Sequence, residues 1–324
     1  MAVDHKIAGT VEAETFVPDR RSRFKTLWKE MVKHKYFYLL MLPGLLYFII
    51  FRYAPMWGLV LAFQNYNPFA GVWASEWVGF KHFVELFTYD YFYTLLRNTL
   101  VINLMNLLLY FPLPIILALM LNEVRHEVFK RVNQSIVYLP HFLSWVVVAG
   151  LTFFMLSTDV GLVNKWIRSL GMEPIAFLSD DRLFWLIITF QNIWKEAGWG
   201  TIIFLAAIAG VDPTLYESAV VDGASRLRQI WHITLPAIRP VIIILIILRM
   251  GQMMDVGFEQ ILLMLNPLVM NVGDVFDTYA YMQGILRGQL SIGVAVGMFK
   301  GVIGLILVLT ANWLSKRMGY EGIL

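Results

Sequence analysis

Six long apolar runs alternate with shorter polar segments along the chain, at residues 36–61, 99–121, 134–156, 183–209, 240–265 and 290–314. Each is long enough to cross a bilayer as a helix, which takes about 20 mostly apolar residues. A helix satisfies its own backbone groups in lipid, so the pattern predicts an all-α membrane protein with six transmembrane helices. Pro43 and Pro55 fall in the first run, and Pro112 and Pro114 in the second. They predict kinks rather than ends, because neighbouring groups can satisfy the carbonyls a proline frees. Residues 1–35 form a polar tail that is basic from Arg20 onward. Phe24, Leu27, Trp28 and Met31 recur there at helical steps, which fits an interfacial helix on anionic lipid or a solvated basic flank. The reading is one membrane domain, 36–314, between this tail and a short C-terminal tail, 315–324.

The polar segment at 212–236 has the most internal structure. Asp212-Pro213 is a helix start: the aspartate can cap free N–H groups and the proline suits the first turn. Asp222-Gly223 predicts a break where only glycine takes a left-handed conformation cheaply. A second short helix follows, with Leu227, Ile230 and Trp231 on one face, and Leu235-Pro236 predicts its end. Two short helices at a bend beside a membrane make a plug for a groove in another protein.

Spacing sharpens this reading. Glu217-Ser218-Ala219, three residues, Gly223, nine residues and then Ile233-Thr234-Leu235-Pro236 resembles the EAA loop of ABC importer permeases, with Ser218 in place of alanine as the one departure. Tyr138 to Val146, Asp222 to Ser225, Val256 to Leu263 and Asn312 to Arg317 are similar to sugar-type permeases. Within these the chain resembles the oligosaccharide branch, alginate-oligosaccharide importer permeases among them. The resemblance implies a type I ABC importer permease fold with a coupling loop made by Glu217, Ser218, Ala219, Asp222, Gly223, Ile233, Leu235 and Pro236. It implies a second permease subunit, two ATPase subunits that carry ATP and Mg, and an external solute-binding protein. The cargo it implies is an oligosaccharide, of the alginate or uronate kind.

Charge gives the orientation independently. Lys and Arg number 16 in the tail, the segment after the second run, the segment around Gly223 and the C-terminus, against six in the opposite loops. The positive-inside rule then places both termini and the Gly223 segment in the cytoplasm of a cell whose inner membrane the chain crosses several times. Charged residues make up 15% of the chain, below the roughly 25% of soluble domains, and 58% is hydrophobic. The net charge of +3 is too small to suggest nucleic acid. With no cysteine and six scattered histidines, thiolate chemistry and a metal site are not expected. No phosphate-cradling G-x-x-x-x-G-K-[ST] occurs, so the chain is read as no enzyme, without an ATP site or other cofactor of its own. No cleavable signal is visible ahead of the first run.

Ionisable residues inside apolar runs are costly and suggest a pathway. Lys195 and Glu196 lie in the fourth run, beside Asn192, Trp194 and Trp199. In the fifth, Arg249, Gln252, Asp255 and Glu259 follow at steps of three, three and four, which predicts one polar face of a continuous helix. Lys300 lies in the sixth. These residues either line a substrate passage or pair among themselves. Arg249 is the leading candidate for a cargo carboxylate, with Lys300 and Lys195 next. Gly293, Gly297 and Gly301 at four-residue steps predict close helix packing. The aromatic-rich outer loops fit a membrane interface or the docking of an external protein. A rival class is an ion-coupled secondary transporter with Asp255 or Glu259 as the ion site, but no paired repeats with broken helices are visible. An intramembrane enzyme lacks a catalytic constellation.

Overall fold

The computed structural model describes residues 32–320 and 322. Nearly all of the basic tail, with its interfacial-helix reading, lies outside the described residues. The chain divides into two compact units, Met1–Gly58 and Leu59–Leu324. The described part of the first is helical, and the helix α1 (Lys35–Phe63) continues past the boundary.

The second unit holds further helices, among them α2 (Phe92–Glu123), α3 (Glu127–Phe142), α4 (Trp145–Leu156), α5 (Asp181–Ala209), α6 (Pro213–Val221) and α7 (Arg226–Gly251). After them come α8 (Phe258–Met264), α9 (Phe276–Ala280) and α10 (Leu290–Arg317). Four helices, α1, α2, α7 and α10, are long and apolar enough to cross a membrane alone, and the bent pairs α3–α4 and α5–α6 bring the number to six. The one sheet among the described residues is a two-stranded pair, β1 (Gln64–Asn65) and β2 (Glu76–Trp77), in which Gln64 faces Trp77.

Prolines in the long helices do not end them. Three π segments, Ile49–Tyr53, Asn106–Tyr110 and Ile230–Thr234, each stand just ahead of a proline, Pro55, Pro112 and Pro236 in turn. A π turn bonds five residues back and shifts the register by one, so a missing N–H falls where the ladder is already interrupted. Of the four prolines in the first two runs, Pro55 and Pro112 follow such a segment, and Pro43 lies inside a regular α-helix. The end expected at Leu235-Pro236 does not occur: α7 runs through it to Gly251. Two other expectations fail by breaking. The third run turns by 99° between Phe142 and Trp145, where the Ser144 hydroxyl accepts from the Val147 N–H at 3.4 Å and starts a new helix. The fifth run stops at Gly251.

Within lipid, helices associate through close packing rather than water exclusion. Three buried clusters do this work: one around Ile102, Phe184, Ile188 and Ile261, one around Leu95, Met254, Phe276 and Val296, and one around Ala118, Phe204, Ile208 and Ile238. Glycine lets backbones touch at a few points. A Cβ on Gly304 would lie 2.6 Å from the Gly251 carbonyl, which fixes α10 against the end of α7. Gly198 of α5 is pressed in the same way on the Val137 carbonyl of α3. Of the glycine stripe read from sequence, only Gly293 is used so, against Gly284. Gly297 and Gly301 face open space.

Candidate functional site

Two sites stand out, one at the bent loop and one inside the bundle. In the loop, the Asp212 carboxylate accepts from the Thr214 N–H at 2.9 Å and caps α6. That bond holds the Asp212 carboxyl below its ordinary range. Pro213 takes the first turn, and Ser218 turns its hydroxyl back to the Thr214 carbonyl at 2.9 Å. The helix closes with the Ala224 N–H on the Ala219 carbonyl at 2.8 Å and Gly223 at φ +75°. No atom would meet a Cβ there, so the backbone angle and not the space demands glycine. Asp222 caps the end and is exposed.

The loop is tied to the bundle by residues the sequence did not single out. Arg226 pairs with Glu123 at the end of α2 at 3.7 Å, and the Tyr216 and Thr234 hydroxyls bond at 2.9 Å. Gln229 is buried and donates to the Ala224 carbonyl at 3.0 Å. Leu235 packs on the cluster of Ala118, Phe204, Ile208 and Ile238. Ile233 is half-buried beside it, and Pro236 is exposed. Between α6, α7 and the end of α2 lies a groove of about 440 Å³, which Glu217 lines with Tyr216, Val220 and Arg226. The Glu217 carboxylate has no hydrogen bond or ion pair among the described residues, and the Glu123–Arg226 and Tyr216–Thr234 ties hold the bend. Three large apolar side chains point away from the protein: Val221 is 87%, Leu227 70% and Trp231 67% exposed. Of the apolar face expected here, Ile230 is turned partly inward.

Inside the bundle, Lys195 and Glu196 pair, joined by a residue that carried no sequence signal. The Lys195 ammonium donates to the His141 carbonyl at 2.8 Å, meets Glu196 at 3.0 Å and sits 5.3 Å over the Trp145 ring. His141 Nδ1 lies 2.8 Å from the other Glu196 oxygen, and its ring stacks flat on Trp199 at 4.4 Å. The bend between α3 and α4 is what brings His141 and Trp145 to α5. Lys195 is thus paired on three sides within this cluster. One turn along α5, Asn192 donates to Asn106 in the π segment of α2 at 2.9 Å. Trp194 points elsewhere, into an apolar cavity of about 620 Å³ with Phe190 and Leu151.

The four polar residues expected on one helical face are not on one. The Arg249 and Met250 carbonyls accept from the Gln252 and Met253 N–H groups in tight turns, the Asp255 N–H bonds Gln252, and Gly257 takes φ +86°. Only Arg249 remains in α7. Gln252 caps it, Asp255 stands in the unwound stretch, and Glu259 begins α8. Asp255 meets Lys300 at 2.6 Å, and Asp277 also pairs with Lys300. Lys300 is therefore doubly paired, and Asp255 is not the partner of Arg249. Arg249, half-buried, has no carboxylate within ion-pair distance among the described residues. Among the described residues Arg249 is thus a guanidinium without an ion-pair partner.

Residues 110–320 match the family described as binding-protein-dependent transport system inner membrane component. The chain is 52% identical over 316 residues to the polygalacturonan/rhamnogalacturonan transport system permease protein YteP of Bacillus subtilis (strain 168), covering 98% of each chain. It is 53% identical over 297 residues to the protein LplB of the same organism, covering 91% of this chain and 93% of that one. Among solved structures, a chain of a bacterial alginate ABC transporter, crystallised with an alginate pentasaccharide-bound periplasmic protein, superposes with a TM-score of 0.84. It is 42% identical and covers 92% of this chain and 99% of that chain.

Proposed function

This chain belongs to the family of binding-protein-dependent transport system inner membrane components, and we propose that within it the chain is the permease subunit of an ATP-driven importer of acidic oligosaccharides. Both named relatives with a stated cargo carry polymers rich in uronic acid, polygalacturonan/rhamnogalacturonan in one case and alginate in the other. On this reading a second, similar permease completes the passage and two ATPase subunits supply ATP and Mg. A solute-binding protein delivers the sugar, and the bent loop faces the cytoplasm.

The observation that carries the coupling is the loop itself. Val221, Leu227 and Trp231 project from a rigid, capped bend with no cover of their own. Exposed apolar side chains on a fixed scaffold favour a protein partner. Leu235 and the Glu123–Arg226 pair tie that bend to α2, α5 and α7, so movement of a docked ATPase is passed to the helices as a rigid push. When ATP closes the ATPase pair, the two loops approach and the passage opens outward; hydrolysis returns it.

The cargo fits the charge inside. A carboxylate entering a low-dielectric passage costs several kcal/mol unless a cation meets it. Arg249 is such a cation, and its fork can hold a carboxylate through two bonds. Of the two ion sites an ion-coupled carrier could use, Asp255 is paired with Lys300, and Glu259 stands exposed in the first turn of α8.

Coupling is tested by Gly223→Asp in the purified complex. A side chain at φ +75° is strained by about 1 kcal/mol or more, so the subunit is expected in the membrane with sugar-stimulated ATPase activity lost. Normal stimulated turnover in this variant would rule out the assignment of the loop.

A further inference from the structure

The proposed passage gives Arg249 a task, but it leaves Lys300 and its two carboxylates without one. They sit where α7 unwinds, and the two carboxylates are held unequally. Asp277, on α9, is 20% exposed; one oxygen pairs with Lys300 and the other accepts from the Val256 N–H at 3.4 Å. Asp255 is 63% exposed, and its carboxylate has the Lys300 ammonium, at 2.6 Å, as its one ion-pair partner among the described residues. Its backbone belongs to the stretch between Gly251 and Gly257, which is outside any helix and ends in a glycine at φ +86°. Lys300 itself is only 10% exposed, and its direction is fixed by Asp277.

We propose that Lys300 is a masked carboxylate-binding site, at which Asp255 caps the ammonium and exchanges with a uronate carboxylate of the cargo. The proposal rests on the reading of the cargo as an acidic oligosaccharide. The exchange replaces one carboxylate by another, so the ammonium stays paired and hydrogen-bonded throughout. Asp255 turns to water, which its exposure already allows. A neutral sugar offers only a hydroxyl, which cannot make up for the charge that Asp255 withdraws, so it leaves the cap in place. Asp277 does not take part: its second bond to the backbone of Val256 keeps it as the permanent counter-ion that aims Lys300. Selection for charge is thereby built in, because the site opens only to a ligand that can do what Asp255 does.

The test is equilibrium binding of labelled trigalacturonate to the assembled permease–ATPase complex in nanodiscs, without binding protein. The same trisaccharide with its carboxyls reduced to alcohols serves as the comparison. Asp255→Asn removes the competitor and is expected to tighten trigalacturonate about tenfold, the scale of one charge-assisted hydrogen bond, while leaving the reduced sugar unchanged. Lys300→Gln strands two carboxylates and can impair folding. The double variant Lys300→Gln/Asp255→Asn keeps the local charge of the native cluster and is expected to bind trigalacturonate about tenfold more weakly than Asp255→Asn. Unchanged affinity in Asp255→Asn, or an equal change for both sugars, overturns the exchange. Preference for the reduced sugar over trigalacturonate in both the native and the Asp255→Asn complex removes the acidic-cargo reading itself, and the exchange with it.

Discussion

A guanidinium in the last turn of a membrane helix, with no carboxylate beside it, is costly unless something transient neutralises it. Arg249 is in that position. The sequence identified it as the leading cation but offered Asp255 and Glu259 as its partners, because steps of three and four read as one face wherever a helix continues. Asp255 went instead to Lys300, across from α7 on α10, which periodicity has no means of naming. Likewise Lys195 and Glu196 were visible as charges in an apolar run, but His141, which joins them from the far side of a bend, was one of six scattered histidines. Arg249→Gln keeps a hydrogen-bonding amide but removes the charge. It is expected to slow uptake of an acidic oligosaccharide into proteoliposomes at least tenfold, with basal ATPase activity and assembly retained. Equal loss for a neutral sugar of the same length would take Arg249 out of the passage.

At the scale of elements, the apolar runs were legible and their interruptions were not. Length and composition located all six runs, since a bilayer imposes both. The breaks arise from local bonds that compete with the helix ladder: the Ser144 cap, and the tight turns after Arg249 that end at Gly257. Each has a single serine or glycine as its only sign. Proline misled in the opposite direction, since the π turn ahead of Pro236 lets α7 pass through what reads as a stop. Glycine spacing was similarly ambiguous. Gly293, Gly297 and Gly301 form the regular stripe, yet the contact between α7 and α10 is made by Gly304 on Gly251. Gly304→Val must push the Gly251 backbone aside, and overpacking of this kind costs about 1–3 kcal/mol. A lowered thermal midpoint of the detergent-purified subunit is expected for Gly304→Val. Gly297→Val and Gly301→Val, which meet open space, are expected to leave it near the native value. The reverse order would mean that α10 packs through the stripe.

For the whole molecule, the bent loop has a use only if it lies on the side where ATP is made available, and the charge count is the argument for that side. On the six-run reading of the sequence, Lys and Arg number 16 in the segments grouped with the Gly223 segment and the termini against six in the opposite loops. Lys and Arg resist transfer across the membrane during insertion, so the richer side is expected in the cytoplasm. Two exposed serines stand on either side of α5, Ser179 just before it and Ser225 after the loop that follows it. At 1.5 Å per residue, the 29 residues of α5 exceed the roughly 30 Å of a hydrocarbon core, so the two serines are expected on opposite faces. The chain contains no cysteine, which leaves a single introduced thiol without background. Ser225→Cys is expected to react with a membrane-impermeant maleimide only when the cytoplasmic face is opened, as in inverted vesicles. Ser179→Cys is expected to react in intact spheroplasts. Reaction of both from the same side would mean that α5 does not cross, and reaction with the sides exchanged would put the coupling loop out of reach of any ATPase.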